Sequence, residues 1–377
     1  MRSLMIIIDG LGDDPIPAWN GQTPFDRARH PYLDFLAGRG TLAHFCICGN
    51  DLQPESLSCI LRLLGIPKKF HPAHRAYLEL LAQGRDISEY EMVLRCNIVS
   101  IDEEGRLVSF NGMGLTPAEK KEIAAKHNHI LQEIEFLHLS DYRNLLLLPY
   151  DPKVLASSTA APHESMGLKV ESLLAELQAS CLELRLFLKE SARILQPYAR
   201  QGLHYALYPW GPSARTTLPS FARMNGQQGA LVGKAEIVQG IGKALQMQVP
   251  ALPHATGDTD TDLAEKLQVT LQMLQQYPFV VTHFNGADEA SHRHDYEGKA
   301  AFIEKIDREF VGPLLTVWTE PLKILVCGDH VTSSVTGRHT NGPVPVIATA
   351  TQSGAKISLH DYQELLNFSV KAGTENG

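Results

Sequence analysis

Short apolar runs that end in glycine or an acidic residue recur along the chain and predict the strands of an α/β protein. Leu4–Ile8 is apolar throughout and is followed by Asp9 and Gly10. Two later runs, Tyr277–Val281 and Ile324–Gly328, have the same character. Uninterrupted apolar runs of this length are typical of strands buried on both faces of a sheet. The pattern therefore predicts an open, doubly wound parallel sheet that collects its functional side chains at the strand ends.

Helical periodicity fills the intervals between these runs. Amphipathic patterns predict helices over residues 117–127, 170–188 and 263–275, and an apolar helical run follows Ser56 and ends at Gly65. The acidic run 258–262 resembles a calcium-binding loop, but it lacks the glycine and the distal glutamate at loop spacing. An acidic helix N-terminus is the favoured interpretation of that run.

Residues 76–202 differ in pattern from the rest of the chain. They combine a hairpin signal around Glu104 and Gly105 with helical segments and a polar loop, which together are typical of an α+β domain. Strand-like runs separated by helical segments resume at residues 204–208 and 229–232. We therefore predict a catalytic domain formed by residues 1–75 and 203–377, with residues 76–202 inserted as a smaller substrate-binding domain.

Composition and charge narrow the class of protein. The chain has 377 residues, of which 44% are hydrophobic and 20% charged, as in an ordinary globular enzyme. The net charge of −8 and the lack of a concentrated Lys/Arg run argue against a nucleic-acid partner. A phosphorylated substrate stays compatible with this charge, because bound divalent metals supply local positive charge.

Cysteine usage and the N-terminus indicate a cytoplasmic protein. The six cysteines are scattered, and Cys46-x-Cys48 has no second pair with which to form a zinc knuckle, so structural thiols are expected. The N-terminal apolar run is too short for a signal peptide, and no apolar stretch is long enough to predict a membrane span.

Acidic and imidazole side chains follow the three strand candidates described first. They are Asp9, Asp288, His292, Asp329, His330 and His339. Asp288 and His292 are four residues apart, so a helical turn would place them on one face. Each residue alone is more simply a turn, surface or hydrogen-bonded side chain. Together they predict a metal site, and two ions about 4 Å apart would suit displacement at phosphorus. Such ligands suit Mn²⁺, Zn²⁺ or Mg²⁺.

Ser56 precedes an apolar helical run and has two interpretations. A serine at a helix N-terminus is usually a cap. It can also be a nucleophile, because the N–H groups of the first turn stabilise anionic oxygens there. Ser58 is the rival candidate two residues later.

Many short motifs occur in order along nearly the whole chain. They are D-G-L-G-D, G-Q-T-P-F-D-R-A, P-Y-L-D-F-L-A, P-E-S, L-R-C-N, A-P-H-E, L-P-S-F, I-V-Q-G-I-G, A-T-G-D-T-D-T-D, A-D-E-A-S-H, Y-E-G-K, I-E-K-I-D, C-G-D-H and H-T-N-G-P-V-P. In this order and spacing the chain resembles the cofactor-independent phosphoglycerate mutases of the archaeal type, in the alkaline phosphatase superfamily. The resemblance implies an alkaline phosphatase-like sheet and the glycolytic interconversion of 3-phosphoglycerate and 2-phosphoglycerate.

The resemblance also implies roles for individual residues. Ser56 would be the nucleophile that forms a phosphoserine. One divalent metal ion would be held by Asp9, Ser56, Asp329 and His330, and a second by Asp288, His292 and His339. In the inserted domain the candidates for binding the substrate are Arg95, Asn97, Arg143 and His163. For each of these four a solvated or structurally paired side chain is the alternative.

Two positions depart from the family pattern. The family has an acidic residue directly after the nucleophile and a histidine four residues after it, where this chain has Leu57 and Ile60. The predicted metal ligands match the family pattern, whereas these two positions near the substrate do not. Three functions other than the mutase reaction are therefore possible. They are a phosphotransferase similar to the mutase-like homoserine kinases, a phosphomonoesterase, and a non-catalytic binding or scaffold homologue. Metal identity, phosphoryl acceptor and the formation of a homo-oligomer stay open.

Overall fold

The computed structural model describes residues 1–128, 130–200, 202–351, 357 and 359–371. Its strands are β1 (Arg2–Ile8), β2 (Thr41–Phe45), β3 (Glu91–Ile101), β4 (Leu107–Ser109), β5 (Glu135–Ser140), β6 (Arg143–Pro149), β7 (His204–Ala214), β8 (Gly229–Val232), β9 (Phe279–Phe284), β10 (Leu322–Cys327), β11 (Val331–Thr332), β12 (His339–Thr340) and β13 (Val344–Ala350). Its α-helices are α1 (Pro24–Arg27), α2 (Pro31–Arg39), α3 (Ser56–Leu63), α4 (Ala76–Ala82), α5 (Pro117–His127), α6 (Pro152–Leu155), α7 (Val170–Leu173), α8 (Ala175–Ser180), α9 (Leu182–Leu195), α10 (Phe221–Asn225), α11 (Glu236–Ala244), α12 (Leu263–Gln276), α13 (Gly286–His292), α14 (Tyr296–Ile306), α15 (Gly312–Val317) and α16 (Tyr362–Ser369). A π-helical turn, Asp307–Val311, joins α14 to α15.

The chain forms two compact units. The first consists of Met1–His71 and the residues from Leu218 onward, and the second is Pro72–Thr217. The second unit is longer than the predicted inserted domain, 76–202, because β7 pairs antiparallel with β3 and so belongs to the sheet of that unit. A strand-like sequence does not reveal its partner, which is why residues 203–217 were expected in the other domain.

The first unit is built on a six-stranded sheet in the order β2-β13-β10-β1-β9-β8. The four strands β10, β1, β9 and β8 are parallel. At one edge β13 pairs antiparallel with β10, and β2 pairs antiparallel with β13. Strand β1 is buried over six consecutive residues, as its uninterrupted apolar sequence predicts. The predicted α/β class with a doubly wound sheet is confirmed.

The second unit has an antiparallel sheet in the order β4-β3-β6-β5, with β7 also paired to β3. Strands β3 and β4 form the predicted hairpin, and Gly105 takes the left-handed conformation in its turn. This unit has its own apolar core, in which Phe136 and Phe187 pack against each other. A sheet with helices and a separate core is the α+β arrangement expected of the inserted domain.

Most of the predicted helices are confirmed, and one is wrong. Helix α5 spans the predicted residues, and α12 begins at Leu263 after Asp262, whose side chain accepts from Glu265 N. The acidic run before α12 therefore ends in a helix cap, as favoured above. The single helix predicted over 170–188 is instead α7, α8 and α9, because Cys181 adopts an extended conformation and caps α9.

The expectation of structural thiols is wrong for two of the six cysteines. Cys48 and Cys59 form a disulfide, and their Cα atoms are 5.4 Å apart. Cys59 lies in α3, and the segment before that helix folds back against it, which the spacing of cysteines along the chain does not reveal. Cys46, Cys96, Cys181 and Cys327 are free.

Among the described residues, no helix has the length and apolar character needed to span a membrane.

Candidate metal centre

The strands whose ends carry acidic and imidazole side chains are neighbours in the sheet, in the order β10, β1, β9. Asp9 follows β1, Asp329 and His330 follow β10, and α13 begins just after β9. Because parallel strands end at the same edge of a sheet, these side chains come together there. The predicted helical turn is α13, in which His292 Nε2 lies 3.3 Å from Asp288 Oδ2.

His339 reaches the same place through a short ribbon. Strands β11 and β12 are antiparallel, with Thr332 opposite His339. The ribbon folds the chain after β10 back on itself, so the ring centroids of His330 and His339 are 4.1 Å apart.

One group of metal-ligand atoms surrounds Asp9. Donor atoms of Asp9, Asp329 and His330 all lie within 4.8 Å of one another, and all three residues are buried. His330 Nε2 is 3.6 Å from Asp9 Oδ1 and 3.4 Å from Asp329 Oδ2. Ser56 Oγ lies 3.4 Å from the same Nε2 atom. These are the four residues that the sequence resemblance assigns to one ion.

A second group surrounds Asp288. Donor atoms of Asp288, His330 and His339 also lie within 4.8 Å of one another. His339 Nε2 is 3.3 Å from Asp288 Oδ1 and 3.1 Å from His292 Nε2. The resemblance places His330 with one ion only, whereas in the structure it borders both groups.

The position of Ser56 distinguishes its two interpretations. The N-cap of α3 is Glu55, and Ser56 is the first helical residue, so its hydroxyl is not the cap. Ser56 Oγ instead donates to Asp9 Oδ2 at 3.3 Å. The hydroxyl of the rival candidate, Ser58, points to Glu55 Oε1 at 3.5 Å.

Three buried carboxylates dominate the electrostatics of the centre. Burial, followed by the charges of Asp329 and Asp288, raises the pKa of Asp9 well above its ordinary value. Burial also raises the pKa of Asp329. Burial alone would also raise the pKa of Asp288, but His292 and His339 hold the pKa of that carboxyl well below its usual range. Burial disfavours the charged ring of His292, yet Asp288 raises the pKa of His292 to about 9. The cluster is therefore stabilised by added positive charge.

Hydrogen bonds fix the tautomers of two of the histidines. Thr332 Oγ1 donates to Asp288 Oδ1 at 2.7 Å, so it can only accept from His330 Nδ1, which is 3.1 Å away. His292 Nδ1 donates to the carbonyl of Gly337 at 2.8 Å. Both rings thus have Nδ1 held in a hydrogen bond and direct Nε2 into the cluster. Metal-ligating histidines show this arrangement, in which an outer acceptor holds the other nitrogen.

The residues present fit divalent metal ions. Asp9 Oδ1 and Asp329 Oδ2 are buried and have no hydrogen-bond partner in the part of the chain that the structure describes. Unpaired carboxylate oxygens are costly inside a protein unless a cation satisfies them. His292 Nε2 and His339 Nε2 face each other at 3.1 Å, so a proton or a cation must lie between them. The donor set of carboxylate and imidazole suits Mn²⁺, Zn²⁺ or Mg²⁺.

A buried ion pair joins the loops that carry these ligands. Lys299 Nζ donates to Asp13 Oδ2 at 2.6 Å and to the carbonyls of Gly12 at 3.1 Å and Thr332 at 3.0 Å. Asp13 in turn accepts from the backbone N–H of Ser334 at 2.8 Å. Lys299 therefore connects the loop after β1 to β11. Neither partner was predicted from the sequence, although Asp13 ends the motif D-G-L-G-D and Lys299 ends the motif Y-E-G-K.

Leu57 and Ile60 are buried in α3, 1% and 0% exposed. Neither side chain can donate, accept or carry charge. Where the family pattern has an acidic residue and a histidine, this helix therefore offers only apolar packing. The predicted ligands and Ser56 are present, whereas the two positions after Ser56 that depart from the family pattern are apolar.

In the second unit, three of the four substrate-binding candidates contact Trp210, and the fourth, Arg143, lies opposite one of them. The guanidinium of Arg95 is 4.5 Å from the ring centroid of Trp210, and Trp210 Nε1 donates to Asn97 Oδ1 at 3.1 Å. The rings of His163 and Trp210 meet edge to face at 6.3 Å. Arg143 lies opposite Asn97 in β6, with its guanidinium 4.8 Å from the ring centroid of Tyr142.

Arg95 already has a carboxylate partner. Its side chain is buried, and Nε lies 2.9 Å from Glu79 Oε2. Glu79 also pairs with Arg75 Nε at 2.8 Å. Burial lowers the pKa of Arg95 to about 10, and the nearby Arg75 and Arg143 act in the same direction. The alternative of a structurally paired side chain therefore holds for Arg95, whose substrate role stays a prediction.

Known proteins share the family and the fold of this chain. A family model described as the metalloenzyme superfamily matches residues 1–369, so the chain belongs to that superfamily. The 2,3-bisphosphoglycerate-independent phosphoglycerate mutase of Methanopyrus kandleri is 30% identical over 97% of this chain and 91% of its own. The 2,3-bisphosphoglycerate-independent phosphoglycerate mutase 2 of Methanothermobacter thermautotrophicus is 27% identical over 99% of this chain and 94% of its own length.

Solved structures show the same fold. A protein of Pyrococcus horikoshii has a TM-score of 0.74 at 22% identity, with 97% of this chain and 92% of that chain covered. The cofactor-independent phosphoglycerate mutase of Thermoplasma acidophilum has a TM-score of 0.54, also at 22% identity, with coverage of 94% and 91%. The chain belongs to the family of 2,3-bisphosphoglycerate-independent phosphoglycerate mutases, within the metalloenzyme superfamily.

Proposed function

We propose that the chain is a phosphoglycerate mutase that interconverts 3-phosphoglycerate and 2-phosphoglycerate by metal-dependent phosphoryl transfer through a phosphoserine on Ser56. The observation that carries the proposal is the contact of Ser56 Oγ with Asp9 and His330 at the edge of the parallel sheet. A serine in this position faces the donor atoms of a metal centre instead of capping its helix. The named activity of the full-length relatives supplies the substrate.

In this proposal two ions are held by the residues of the two groups. Asp9, Ser56, Asp329 and His330 would hold one, and Asp288, His292 and His339 the other, with His330 at their border. When bound, the ions would lower the pKa of the serine hydroxyl and offset the negative charge of the transferred group.

The chain's own residues account for the remaining steps. Ser56 Oγ attacks the phosphorus of 3-phosphoglycerate, and its hydroxyl proton leaves toward Asp9 Oδ2. The bond from phosphorus to the substrate oxygen breaks, and that oxygen takes up the proton from Asp9 Oδ2 to give glycerate. The other hydroxyl of the retained glycerate then attacks the phosphoserine, and its proton passes by way of Asp9 Oδ2 to Ser56 Oγ as the bond from phosphorus to Ser56 Oγ breaks, which restores Ser56. The N–H groups in the first turn of a helix have no acceptor within the helix, so those of α3 can donate hydrogen bonds to a phosphoryl oxygen.

A turnover assay tests the proposal. The protein is loaded with Mn²⁺ and given 3-phosphoglycerate in the absence of 2,3-bisphosphoglycerate. Formation of 2-phosphoglycerate is expected, together with a phosphorylated peptide that contains Ser56. No isomerisation by a protein that has bound metal would overturn the mutase proposal.

The burial of Leu57 and Ile60 favours one second candidate. With two apolar side chains in place of a charged and a hydrogen-bonding one, the same phosphoryl chemistry would act on another small phosphorylated substrate. In that case an aryl phosphate releases inorganic phosphate while 3-phosphoglycerate is left unchanged. Phosphate release without isomerisation would therefore select a phosphotransferase or phosphomonoesterase.

Three further expectations stay predictions. The identity of the ions stays open among Mn²⁺, Zn²⁺ and Mg²⁺, because the ligand types suit all three. The cytoplasmic location was predicted in part from the expectation that all the cysteines are thiols. The Cys48–Cys59 disulfide removes that support, because disulfides are uncommon in reducing compartments. A homo-oligomer stays open, and light scattering of the purified chain would decide it.

A further inference from the structure

His283 is a buried imidazole beside the metal centre that the seven predicted ligands leave out. It lies in β9, opposite Ile7 of β1. Asp9 comes two residues after Ile7, so strand alternation brings the side chains of Asp9 and His283 to one face of the sheet. His283 Nε2 is 3.3 Å from Asp9 Oδ2, and each side chain is 1% exposed.

The N–H group of the His283 ring needs a hydrogen-bond acceptor, and its surroundings offer the carboxylate of Asp9. Neither ring nitrogen has a hydrogen-bond partner within the described ranges of the chain. A neutral imidazole has a single N–H to place, and leaving it unpaired in the interior is costly. The carboxylate oxygen of Asp9 beside Nε2 is the acceptor that would satisfy it.

His283 is not a member of either donor group. Those groups consist of Asp9, Asp329 and His330, and of Asp288, His330 and His339. His283 contacts the carboxylate of a ligand from the side of Oδ2, whereas His330 faces Oδ1. Its place is that of an outer partner that orients a ligand, and carboxylate ligands commonly depend on such partners.

We propose that His283 is a positioning residue of the metal centre. Its Nε2–H donates to Asp9 Oδ2 and holds the carboxylate so that Oδ1 faces the ion shared with Asp329 and His330. The inference rests on the metal centre of the proposed function and is independent of which substrate is transformed.

The same contact matters during turnover. Ser56 Oγ is the other donor to Asp9 Oδ2, at 3.3 Å. Once Ser56 is phosphorylated, its hydroxyl proton is gone and this hydrogen bond is lost. His283 is then the donor that keeps Asp9 in place for the return of the phosphoryl group.

The test compares Mn²⁺ binding by the full chain and its variants, measured by isothermal titration calorimetry without substrate. His283→Leu removes the N–H while keeping the buried volume. His283→Gln keeps an amide N–H at similar reach. Thr282→Val is the matched control, because Thr282 is a fully buried polar residue of the same strand whose hydroxyl bonds to Thr270 at 2.8 Å. Each variant is first checked for a cooperative thermal transition.

We expect His283→Leu to bind one of two Mn²⁺ ions about 10- to 100-fold more weakly. His283→Gln and Thr282→Val should keep affinities close to that of the unchanged protein. If His283→Leu does not fold, His283→Asn, whose shorter amide falls short of Asp9, takes its place with the same expectation.

Unchanged affinity at both sites in a folded His283→Leu protein would overturn the inference. Equal weakening in His283→Leu, His283→Gln and Thr282→Val would also overturn it, because packing would then explain the loss. Failure of the unchanged chain to bind two ions would remove the metal centre itself. Two bound ions without isomerisation would remove only the mutase, and the comparison of variants would still decide the role of His283.

Discussion

Thr332 Oγ1 donates to Asp288 Oδ1 at 2.7 Å. The same hydroxyl accepts from His330 Nδ1 at 3.1 Å, so one threonine connects the two donor groups. A carboxylate accepts only, which fixes the direction of both hydrogen bonds. Thr332 is thereby the residue that sets which nitrogen of His330 faces the other donor atoms of the cluster.

Replacing Thr332 by valine should weaken metal binding. Thr332→Val keeps the shape of the side chain and removes both hydrogen bonds, so His330 loses the acceptor that fixes its tautomer. Mn²⁺ affinity is expected to fall about 10- to 100-fold, as is usual when an outer partner of a ligand is removed. Thr332→Ser retains the hydroxyl and should restore most of the affinity. Titration calorimetry that shows equal binding by Thr332→Val and the unchanged protein would contradict this role.

Ser56→Ala should abolish phosphoryl transfer while metal binding largely survives. The variant lacks the nucleophile, and losses of about 1,000-fold or more in kcat are usual in that case. The ion near Asp9 loses one of its ligands and keeps the buried carboxylates of Asp9 and Asp329 and the ring of His330.

The control for this prediction is Ser58→Ala. The hydroxyl of Ser58 contacts Glu55 and no member of the metal centre, so turnover should continue. Quenched-flow turnover and mass spectrometry of the trapped phosphoenzyme make the comparison. Normal turnover by Ser56→Ala would assign the nucleophile to another residue or remove the covalent intermediate.

The parts of the site that follow long apolar runs could be predicted from the sequence. Strands β1, β9 and β10 are each buried on both faces, and their composition alone marks them. Once they are taken as parallel neighbours, the residues after them must meet at one edge. The positions of Asp9, Asp288 and Asp329 follow from that rule without any knowledge of tertiary contacts.

Thr332 and His283, which were not predicted from the sequence, are brought into the site by long-range pairing. Thr332 faces the predicted ligand His339 across two-residue strands, which are too short to produce a periodic pattern. His283 stands within an apolar strand and has no local signal beyond being polar there. Likewise, β7 has the composition of a strand in either unit, and only its pairing with β3 assigns it to the second.

Gly10→Ala should destabilise the first unit and displace Asp288. Gly10 has φ +76°, and an added Cβ would lie 2.7 Å from Asp288 N and 2.8 Å from Asp288 Cα. The left-handed conformation costs about 1–2 kcal/mol, and the overlap with backbone adds about 1–3 kcal/mol. The free energy of unfolding should fall by about 2–5 kcal/mol, and Mn²⁺ binding should weaken as α13 moves.

Gly21→Ala separates the two contributions to that loss. Gly21 has φ +84°, and no heavy atom lies within 4 Å of its added Cβ. Only the conformational cost of about 1–2 kcal/mol applies there. Urea denaturation of both variants measures the difference, and equal losses of stability would show that the approach of Gly10 to Asp288 is not tight.

A buried lysine beneath the metal centre should make stability depend on pH. Lys266 is 1% exposed, and its Nζ donates to the carbonyl of His283 at 2.9 Å. Burial lowers its pKa from 10.5 to about 7, with Glu265 opposing the shift and Lys234 adding to it. Between about pH 7 and pH 10.5 the unfolded chain binds the proton that the folded chain has released. Stability therefore rises with pH across this window and is insensitive to Lys266 below it.

Lys266→Met removes this dependence while it fills the same space. The variant loses the hydrogen bond to His283 at every pH. It also has no ammonium group, so the cost of burying a charge is absent at every pH. We compare the free energy of unfolding of the unchanged protein with that of Lys266→Met at each pH. The difference, unchanged protein minus variant, should increase by a few kcal/mol from pH 7 to pH 10, which is about 1.4 kcal/mol per unit of pKa shift. Thr270→Val, a buried change in the same helix without a titrating group, should show a constant difference. Urea denaturation at each pH gives these values, and parallel profiles for Lys266→Met and the unchanged protein would mean that Lys266 stays charged inside the fold.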